Sequence, residues 1–345
     1  MAGVVALDIG RRGLRGVQVD GAYSNRPKIT RFGAVGVTEG TVFDGEITDE
    51  RRGAAAIKQL WKSAGFTTNK VAFGIGNRKV VVREMTLPAM PAAQRKSALR
   101  FAVEGHIPID LDDSILDFLP LRAVTEHNEP RHEGLLVATA RASLESTVNA
   151  IEKAGRSIDA VDFSGFSLLR ALSNANSGTQ AIINIGAAST TVVIATGSMP
   201  EFVRMVPSGG DDVTHAIERA LSIPFAEAEI DKINRGLQGG ATSAHDIEAE
   251  TVLRENVAAL IDSIRNTLNF YAGAHPERPI AQILLTGGGS RLMGLAPVLT
   301  RALGVPTVHG DPLAAFSVSS KVRASGVENW ALELAAPLGV TVGEK

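Results

Sequence analysis

The alternation of apolar and polar residues at the start of the chain predicts a strand, a tight turn and a second strand. In Val4–Gly21 an apolar run leads into Asp8-Ile9-Gly10, and a short basic turn and a second alternating segment follow. This pattern is typical of a β-hairpin with Asp8 at the end of its first strand. The hairpin is the element around which we interpret the rest of the sequence.

A second copy of this pattern occurs about half a chain later. The segment Ala181–Gly197 aligns with the first hairpin without a gap, and a further strand follows each copy. Such a repeat predicts two halves that share one architecture. The alignment places Asn184 on Asp8, Gly186 on Gly10 and Thr191 on Arg15, and the additional strands are predicted at Ile29–Val37 and Phe202–Val206.

Between the two hairpins, strands and helices alternate, which predicts α/β domains with mixed sheets. Residues 79 to about 160 read as strand, helix, strand, strand and helix, a compact unit inserted into the first half. Its first helix is predicted over Pro91–Gly105, with the proline in the first turn. Its last helix is predicted over Ser143–Ala154.

Composition narrows the class of protein. The chain has 345 residues, 44% of them hydrophobic and 21% charged, which predicts a soluble globular protein of about two domains. The formal net charge of −2 offers no electrostatic case for nucleic acid as the main partner. The absence of cysteine excludes disulfides and thiol catalysis, and it is consistent with a cytoplasmic location.

One uncharged stretch is long enough to cross a membrane but has the wrong composition for it. No charged residue lies between Arg170 and Glu201, yet the stretch contains Asn184, several other polar residues and a glycine break. This polarity would be costly in lipid, so we predict a buried hairpin there. The C-terminal sequence GVTVGEK does not read as a basic amphipathic helix, so we expect no surface anchor in it.

Three glycine-bearing turns are candidates for one nucleotide site. They follow Asp8, Asn184 and Thr286, and the third lies between a buried strand and a helix. Glycine lets a backbone approach a ligand closely, and facing turns with free N–H groups would clamp a phosphate. The Asp8 carboxylate suits a phosphate-bound Mg²⁺ held largely through water, and Arg15 can bind a phosphate. The sequence has neither GxxxxGK[ST] nor GxGxxG, which disfavours those two nucleotide folds.

Several segments resemble the actin-like ATPase superfamily. ALDIG, NIGAASTTVVI, SGGDDVT and LLTGGGSRLMGL are similar to its phosphate-1, phosphate-2 and adenosine motifs. The segments REMTLPAM, RFAVEGHIPIDLDDSILDFLPL, LLVATARASLESTVNAIEKAG, VDFSGFSLLRAL and GVPTVHGDPL resemble the PilM family of type IV pilus assembly proteins. The cell-division protein FtsA is the related protein that shares the insertion.

The resemblance implies an actin-like, duplicated RNase H-like, two-lobed α/β fold with a small inserted α/β domain of the SHS2 type. Lobe 1 would span residues 1–178, with the insertion at about 79–160 and residues 312–345 returning to it, and lobe 2 would span 179–311. ATP and Mg²⁺ are the implied cofactors, with Asp8 as the metal-binding residue. The implied nucleotide-binding residues are Asp8, Gly10, Arg11, Arg12, Arg15, Asn184, Gly186, Ser189, Thr190, Gly209, Gly210, Asp211, Glu229, Lys232, Gly287, Gly288 and Gly289.

Departures from the family pattern bear on hydrolysis. Small hydroxyl residues are usual where this chain has Arg11 and Arg12, and lysine is usual at Arg15. Asn184 replaces the usual aspartate, and an amide carries no charge and cannot act as a base. We therefore expect at most a weak ATPase. Glu229 and Lys232 match a ribose-binding pair, although their spacing alone indicates only a surface i,i+3 pair.

The resemblance implies a cytoplasmic nucleotide-binding scaffold of type IV pilus biogenesis, peripheral to the inner membrane. Its implied partner is the N-terminal cytoplasmic tail of a PilN-type membrane protein, in a groove near Val80–Met90 and the Pro91–Gly105 helix. The alternatives are an FtsA-like cell-division protein, a sugar or acetate kinase, and a degenerate pseudo-ATPase adaptor whose arginines fill the phosphate pocket. The sequence leaves self-association open.

Overall fold

A computed structural model describes residues 3–104, 107, 110–240 and 242–343. Its strands form sheets of six, five, three and two strands within these ranges. The two larger sheets each contain one of the predicted hairpins. None of the described helices combines the length and the apolar character that a bilayer span requires.

The N-terminal segment supplies most of the six-stranded sheet and a helix that packs on it. The helix α1 begins after Asp49, whose side chain accepts a hydrogen bond from the backbone of Arg52. It ends where Gly65 takes a left-handed conformation with φ 65°, which glycine adopts without steric cost. The elements are β1 (Val4–Gly10), β2 (Gly13–Asp20), β3 (Lys28–Gly36), β4 (Val42–Phe43), β5 (Glu46–Ile47), α1 (Glu50–Ala64) and β6 (Lys70–Ile75).

The insertion is a three-stranded antiparallel sheet with a helix on one face. Leu136 of the central strand packs with Leu99 and Val103 of that helix in one buried cluster. The predicted end of this helix at Gly105 lies outside the described residues. The elements are β7 (Val81–Pro88), α2 (Ala92–Val103), β8 (Ser114–Glu126) and β9 (Glu129–Ala140), in the sheet order β7-β9-β8.

The chain returns to the first sheet sooner than the predicted limit of about residue 160. Ala150 and Ile151 of the next helix lie in the same core as α1, and the strand after it pairs in parallel with β6. We therefore propose that the insertion ends near Ala140. The returning elements are α3 (Ala142–Lys153), β10 (Ser157–Phe163) and α4 (Ser164–Leu172).

The second half repeats the topology of the first. Its hairpin pairs Asn184 with Thr191, just as the first hairpin pairs Asp8 with Arg15, so the gap-free alignment of the two copies is confirmed. The elements are β11 (Thr179–Ile185), β12 (Thr190–Thr196), β13 (Met199–Val206), α5 (Gly210–Leu221), α6 (Phe225–Arg235), α7 (Ala244–Ala274), β14 (Gln282–Thr286), a 3-10 turn (Gly288–Arg291), α8 (Leu295–Leu303) and β15 (Thr307–His309).

The C-terminal segment packs back against the first half. Its strand pairs in parallel with β3, which completes the sheet order β10-β6-β1-β2-β3-β16, and its last helix packs against α4. The elements are β16 (Ser317–Val318), α9 (Ser320–Ala324), a 3-10 turn (Val327–Trp330) and α10 (Ala335–Val340).

One apolar cluster joins the insertion to the second sheet. Leu135 and Val137 of β9 share it with Leu168 of α4 and with Ile182 and Val193 of the second hairpin. Leu135 is only 1% exposed and Leu168, Ile182 and Val193 are fully buried. The insertion is therefore not an isolated appendage, because Leu135 and Val137 of its sheet share a buried cluster with α4 and the second sheet, while its contacts with α2 form a separate cluster.

Candidate functional site

A cleft of about 630 Å³ separates the two repeated halves, and the three predicted glycine turns meet in it. This volume is typical of small-molecule sites. Most of the predicted site residues line it, and the first turn faces the second and third. Those lining the cleft are Asp8, Gly10, Arg11, Arg12, Arg15, Asn184, Gly186, Ser189, Gly210, Asp211, Glu229, Lys232, Gly287, Gly288 and Gly289.

Two predicted site residues do not line the cleft. Thr190 is fully buried, and its hydroxyl donates to the carbonyl of Ser208 at 2.8 Å. Gly209 lies against the second turn, where an added Cβ would be 2.5 Å from the Ala187 carbonyl oxygen. The Thr190 side chain and the position of a Cβ on Gly209 both face the protein interior and not the cleft. Both residues therefore support the second turn from the side opposite the cleft.

In the first turn, Asp8 and Arg15 form one charged unit. They lie opposite each other on β1 and β2, and their side chains form an ion pair. The guanidinium of Arg15 also stacks on the Trp330 ring, 4.5 Å from its centroid. Burial raises the pKa of the Asp8 carboxyl above its ordinary value, the pair with Arg15 opposes this, and the charge of Glu333 adds to it. A cation placed at Asp8 would relieve the cost of burying its charge.

The second turn uses part of its backbone internally. The N–H of Gly186 donates to the Ser189 carbonyl at 2.9 Å. It is therefore not one of the free backbone donors that the sequence predicted for this turn. The first amides of α5 cap the turn from the other side, since Gly210 donates to Gly186 and Asp211 donates to Ala187. The turn is therefore held rigidly against the N-terminus of α5.

The third turn is braced by the C-terminal segment. The N–H of Gly287 and the hydroxyl of Thr286 both donate to the carbonyl of Leu332, at 2.9 and 2.6 Å. Gly287 has φ +83°, a conformation that favours glycine. The side chains of Arg291 and Glu333 pair at 2.9 Å beside it.

The cleft lining includes residues that are not among the predicted site residues, four of them charged or aromatic side chains with polar contacts: Asp44, Arg291, Trp330 and Glu333. The Trp330 ring lies at the cleft, with the guanidinium of Arg15 over it. Asp44 accepts a hydrogen bond from Ser189 of the opposite half at 3.0 Å. Asp44, Trp330 and Glu333 belong to no quoted motif, and so local sequence held no signal for them, whereas Arg291 lies in the LLTGGGSRLMGL segment, two residues after Gly289.

Glu229 and Lys232 form a buried network, so their interpretation as a surface pair is wrong. The ammonium of Lys232 contacts Glu229 at 2.7 Å, the carbonyl of Gly210 at 2.9 Å and the hydroxyl of Thr214 at 2.8 Å. Burial raises the pKa of Glu229, but Lys232 and hydrogen bonds from Thr214 and Arg12 outweigh it and lower the pKa overall. Burial lowers the pKa of Lys232 against the opposing charge of Glu229.

The charges that line the described cleft balance one another. Each of its basic side chains has an acidic partner that also lines the cleft. A polyanionic ligand would therefore have to displace these carboxylates before it could pair with the basic side chains. The pairs are Arg11–Asp211, Arg12–Glu229, Arg15–Asp8, Lys232–Glu229 and Arg291–Glu333. Within the described ranges, no group of three or more metal-ligating side chains could hold a metal ion without other ligands.

Two sheets of repeated topology, facing each other across a cleft lined by three glycine turns, define an actin-like fold. The MreB5 protein of Spiroplasma citri, solved bound to ADP, has this fold, with a TM-score of 0.55 at 12% identity over 97% of this chain and 98% of that one. FtsA of Streptococcus pneumoniae strain D39 is 26% identical over 338 residues, which are 87% of this chain and 73% of FtsA.

The model of the family described as type IV pilus assembly protein PilM matches residues 6–344. The chain therefore belongs to the PilM family, as the sequence resemblance predicted. The solved PilM–PilN type IV pilus biogenesis complex contains a chain with a TM-score of 0.85 and 26% identity, covering 98% of this chain and 97% of that chain.

Proposed function

We propose that this protein is a nucleotide-binding scaffold of type IV pilus assembly whose bound nucleotide sets its affinity for a PilN-type partner. Membership of the PilM family supports the pilus role and selects it over the cell-division and kinase alternatives. The observation that carries the nucleotide proposal is the meeting of three glycine turns, from both halves, in one cleft. An actin-like neighbour has been solved with ADP, which suits the same ligand class.

The cleft offers distinct groups for each part of ATP. The first and second turns, with Arg15 and Ser189, would hold the phosphates, and Asp8 would hold Mg²⁺ through water together with phosphate oxygens. Glu229 and Lys232 would contact the ribose, and the third turn would cover the adenosine. The position of Asp8 on the cleft wall supports the cation, because partial burial raises the pKa of its carboxyl and Mg²⁺ would offset this disfavoured negative charge.

The binding test is calorimetry with ATP–Mg²⁺ on the full chain. We expect measurable affinity, and a loss of about tenfold or more in Asp8→Ala, since a charge-assisted contact is worth about 1.5–3 kcal/mol. Asp262→Ala, a surface change on α7, is the matched control and should leave the affinity unchanged. Absence of binding by the unmodified protein would refute the nucleotide proposal.

A pseudo-ATPase adaptor is the second candidate, and the paired charges of the cleft favour it. Asn184 provides no base, and every basic side chain in the described lining already has an acidic partner. The two candidates differ in binding, because the first binds ATP whether or not it hydrolyses it, whereas the arginines of the adaptor would fill the phosphate pocket. Phosphate release that remains at the buffer rate despite tight ATP binding would indicate a scaffold that binds without hydrolysis.

For the partner, we propose that an extended N-terminal tail of a PilN-type membrane protein docks beside the insertion. The strand β7 is an edge of the three-stranded sheet, and edge strands can accept a further strand through main-chain hydrogen bonds. The groove would lie between β7, α2 and the first half. Such a partner would hold the protein at the cytoplasmic face of the membrane.

In this proposal, nucleotide binding in the cleft affects tail binding in the groove through direct packing between the two regions. The apolar cluster around Leu135 joins β9 to α4 and to the second hairpin, which also carries Asn184 and Gly186. Any displacement of the second half on closing over a nucleotide would therefore displace the insertion sheet. Titrating a synthetic tail peptide with and without ATP–Mg²⁺ tests this, and equal affinities in both conditions would contradict it.

A further inference from the structure

Two ion pairs cross the mouth of the cleft from the first hairpin turn to the second half. Arg11 pairs with Asp211 of α5, and Arg12 pairs with Glu229 of α6. The turn contains only these two residues between the paired ends of β1 and β2. Both arginines therefore extend from one tight, ordered turn toward two different helices.

The acidic partners are held in place by their own half of the molecule. The side chains of Asp211 and Glu229 are only 8% and 10% exposed. Asp211 lies in the first turn of α5, where the helix dipole favours a negative charge. Glu229 is fixed by Lys232 and Thr214. The two carboxylates are thus a preformed receptor for the arginines.

The arginines are less confined than their partners. The side chain of Arg12 is 53% exposed and that of Arg11 is 26% exposed. Arg11 also lies over the Phe225 ring, 4.7 Å from its centroid, which adds a cation–π contact to its ion pair. Partly exposed ion pairs are weak and salt-sensitive, so they can break and form again without unfolding either half.

The contacts at the base of the cleft are different in kind. There the halves are joined by the continuous chain through α4 and by apolar packing around Leu168 and Ile182, which are fully buried. Apolar burial is insensitive to ionic strength compared with exposed ion pairs. The molecule therefore has a persistent apolar joint at one end of the cleft and two breakable ion pairs at the other, with the Ser189–Asp44 hydrogen bond and the Arg291–Glu333 pair as further polar contacts between the halves.

We propose that Arg11 and Arg12 are positioning residues that form an ionic clasp with Asp211 and Glu229, and that this clasp closes the cleft. Opening the cleft breaks both pairs, and closing it forms both. The arginines then act on a bound ligand through the position of α5 and α6, and they are not the phosphate ligands that the sequence indicated. This clasp does not depend on the identity of the ligand.

The test is a distance measurement between spin labels on the two halves. The chain contains no cysteine, so Lys58→Cys in α1 and Glu227→Cys in α6, both at exposed positions, can be labelled together without background. In the doubly labelled protein we expect one short, narrow distance distribution at low salt. Raising NaCl from about 0.1 M to about 1 M, which shortens the screening length from about 10 to about 3 Å, should lengthen and broaden it.

Charge-removing and charge-keeping variants separate a clasp from a general structural role. Arg11→Gln with Arg12→Gln should give the long, broad distribution already at low salt and remove most of the salt response. Arg11→Lys with Arg12→Lys keeps both charges and should restore the short distance. Arg26→Gln with Arg51→Gln removes the same charge from exposed positions in the same half and is the control.

Equal distance distributions for the double glutamine variant and its control, at both salt concentrations, would overturn the clasp. A thermal unfolding curve for each variant shows whether it is folded. The measurement needs no added nucleotide, and so failure of ATP to bind would refute the proposed function without affecting this result.

Discussion

The Asp8 side chain is subject to two opposing influences, burial and its ion pair with Arg15. Burial raises the pKa of its carboxyl, and the pair with Arg15 offsets this only in part. A residue whose charged form is disfavoured in the folded protein makes folding less favourable at the pH where the unfolded chain is ionised. Such a cost is expected at a site that a cation would complete.

The pH dependence of stability tests this balance at Asp8. The ordinary pKa is 3.8 and the folded value is higher, so the folded protein binds the proton more tightly than the unfolded chain. The stabilising contribution of protonated Asp8 is therefore complete below pH 3.8 and is lost as the pH rises to the folded pKa. We expect the melting temperature of Asp8→Asn, relative to the unmodified protein, to increase across this window.

Thermal unfolding at a series of pH values, without nucleotide, measures that difference. Asp262→Asn on α7 controls for the loss of a carboxylate from the surface. A relative melting temperature that instead decreases with rising pH would show that the pair with Arg15 outweighs burial.

At the scale of elements, turns and helix ends decide what faces the cleft. The second turn is capped by α5, and the third turn is tied to the C-terminal segment through Leu332. Both therefore present their glycines in fixed conformations. The packing of α3 on α1 likewise places α3 in the core of the first half, and we therefore propose an insertion that ends before α3.

Two adjacent glycines of the third turn offer a matched comparison. Gly287 has φ +83°, and a Cβ there would lie 2.4 Å from the Ile185 carbonyl oxygen, whereas a Cβ on Gly288 would come no closer than 3.8 Å to the nearest heavy atom, in Glu333. We expect Gly287→Ala to cost about 1–3 kcal/mol in strain, with a further cost from the clash, and Gly288→Ala to be nearly neutral.

Urea unfolding of both variants measures these costs. Comparable losses of stability would mean that the turn can relax, and that its backbone is not held by Ile185 and Leu332 as described.

At the scale of the whole molecule, the insertion and the second half share one buried core. Leu135 of β9 belongs to this shared core, while its neighbour Leu136 faces α2 in a separate cluster. Each side chain is 1% exposed, so the two differ in what they touch and not in how deeply they are buried. This alternation follows from the two-residue period of a strand.

The shared core predicts different effects of two equivalent truncations. Leu135→Ala and Leu136→Ala should each lower stability by about 2–5 kcal/mol. Only Leu135→Ala should bring the tail affinities measured with and without ATP–Mg²⁺ closer together, because it loosens the contact that carries the coupling. Calorimetry with the tail peptide measures this, and an equal loss of coupling in both variants would contradict the assigned path.

Local pattern was sufficient for the two hairpins and for the positions of the three glycine turns along the chain. The pairing of Asp8 with Arg15 comes from the structure, whereas a hairpin is set by residues that are close in sequence, so both hairpins and the gap-free alignment between them could be predicted. The same holds for α1, whose cap, apolar stripe and terminal glycine lie within one segment.

Packing between distant segments decided the rest. Arg11 and Asp211 are 200 positions apart, and no periodic pattern records that they meet. The burial of Glu229 with Lys232, the place of Trp330 and Glu333 in the cleft, and the attachment of α3 to the first core likewise depend on how helices and halves come together. A charged side chain pairs with the opposite charge that tertiary packing brings near it. Arg11 and Arg12, which the sequence analysis assigned to the nucleotide site, therefore pair with Asp211 and Glu229 in the folded protein.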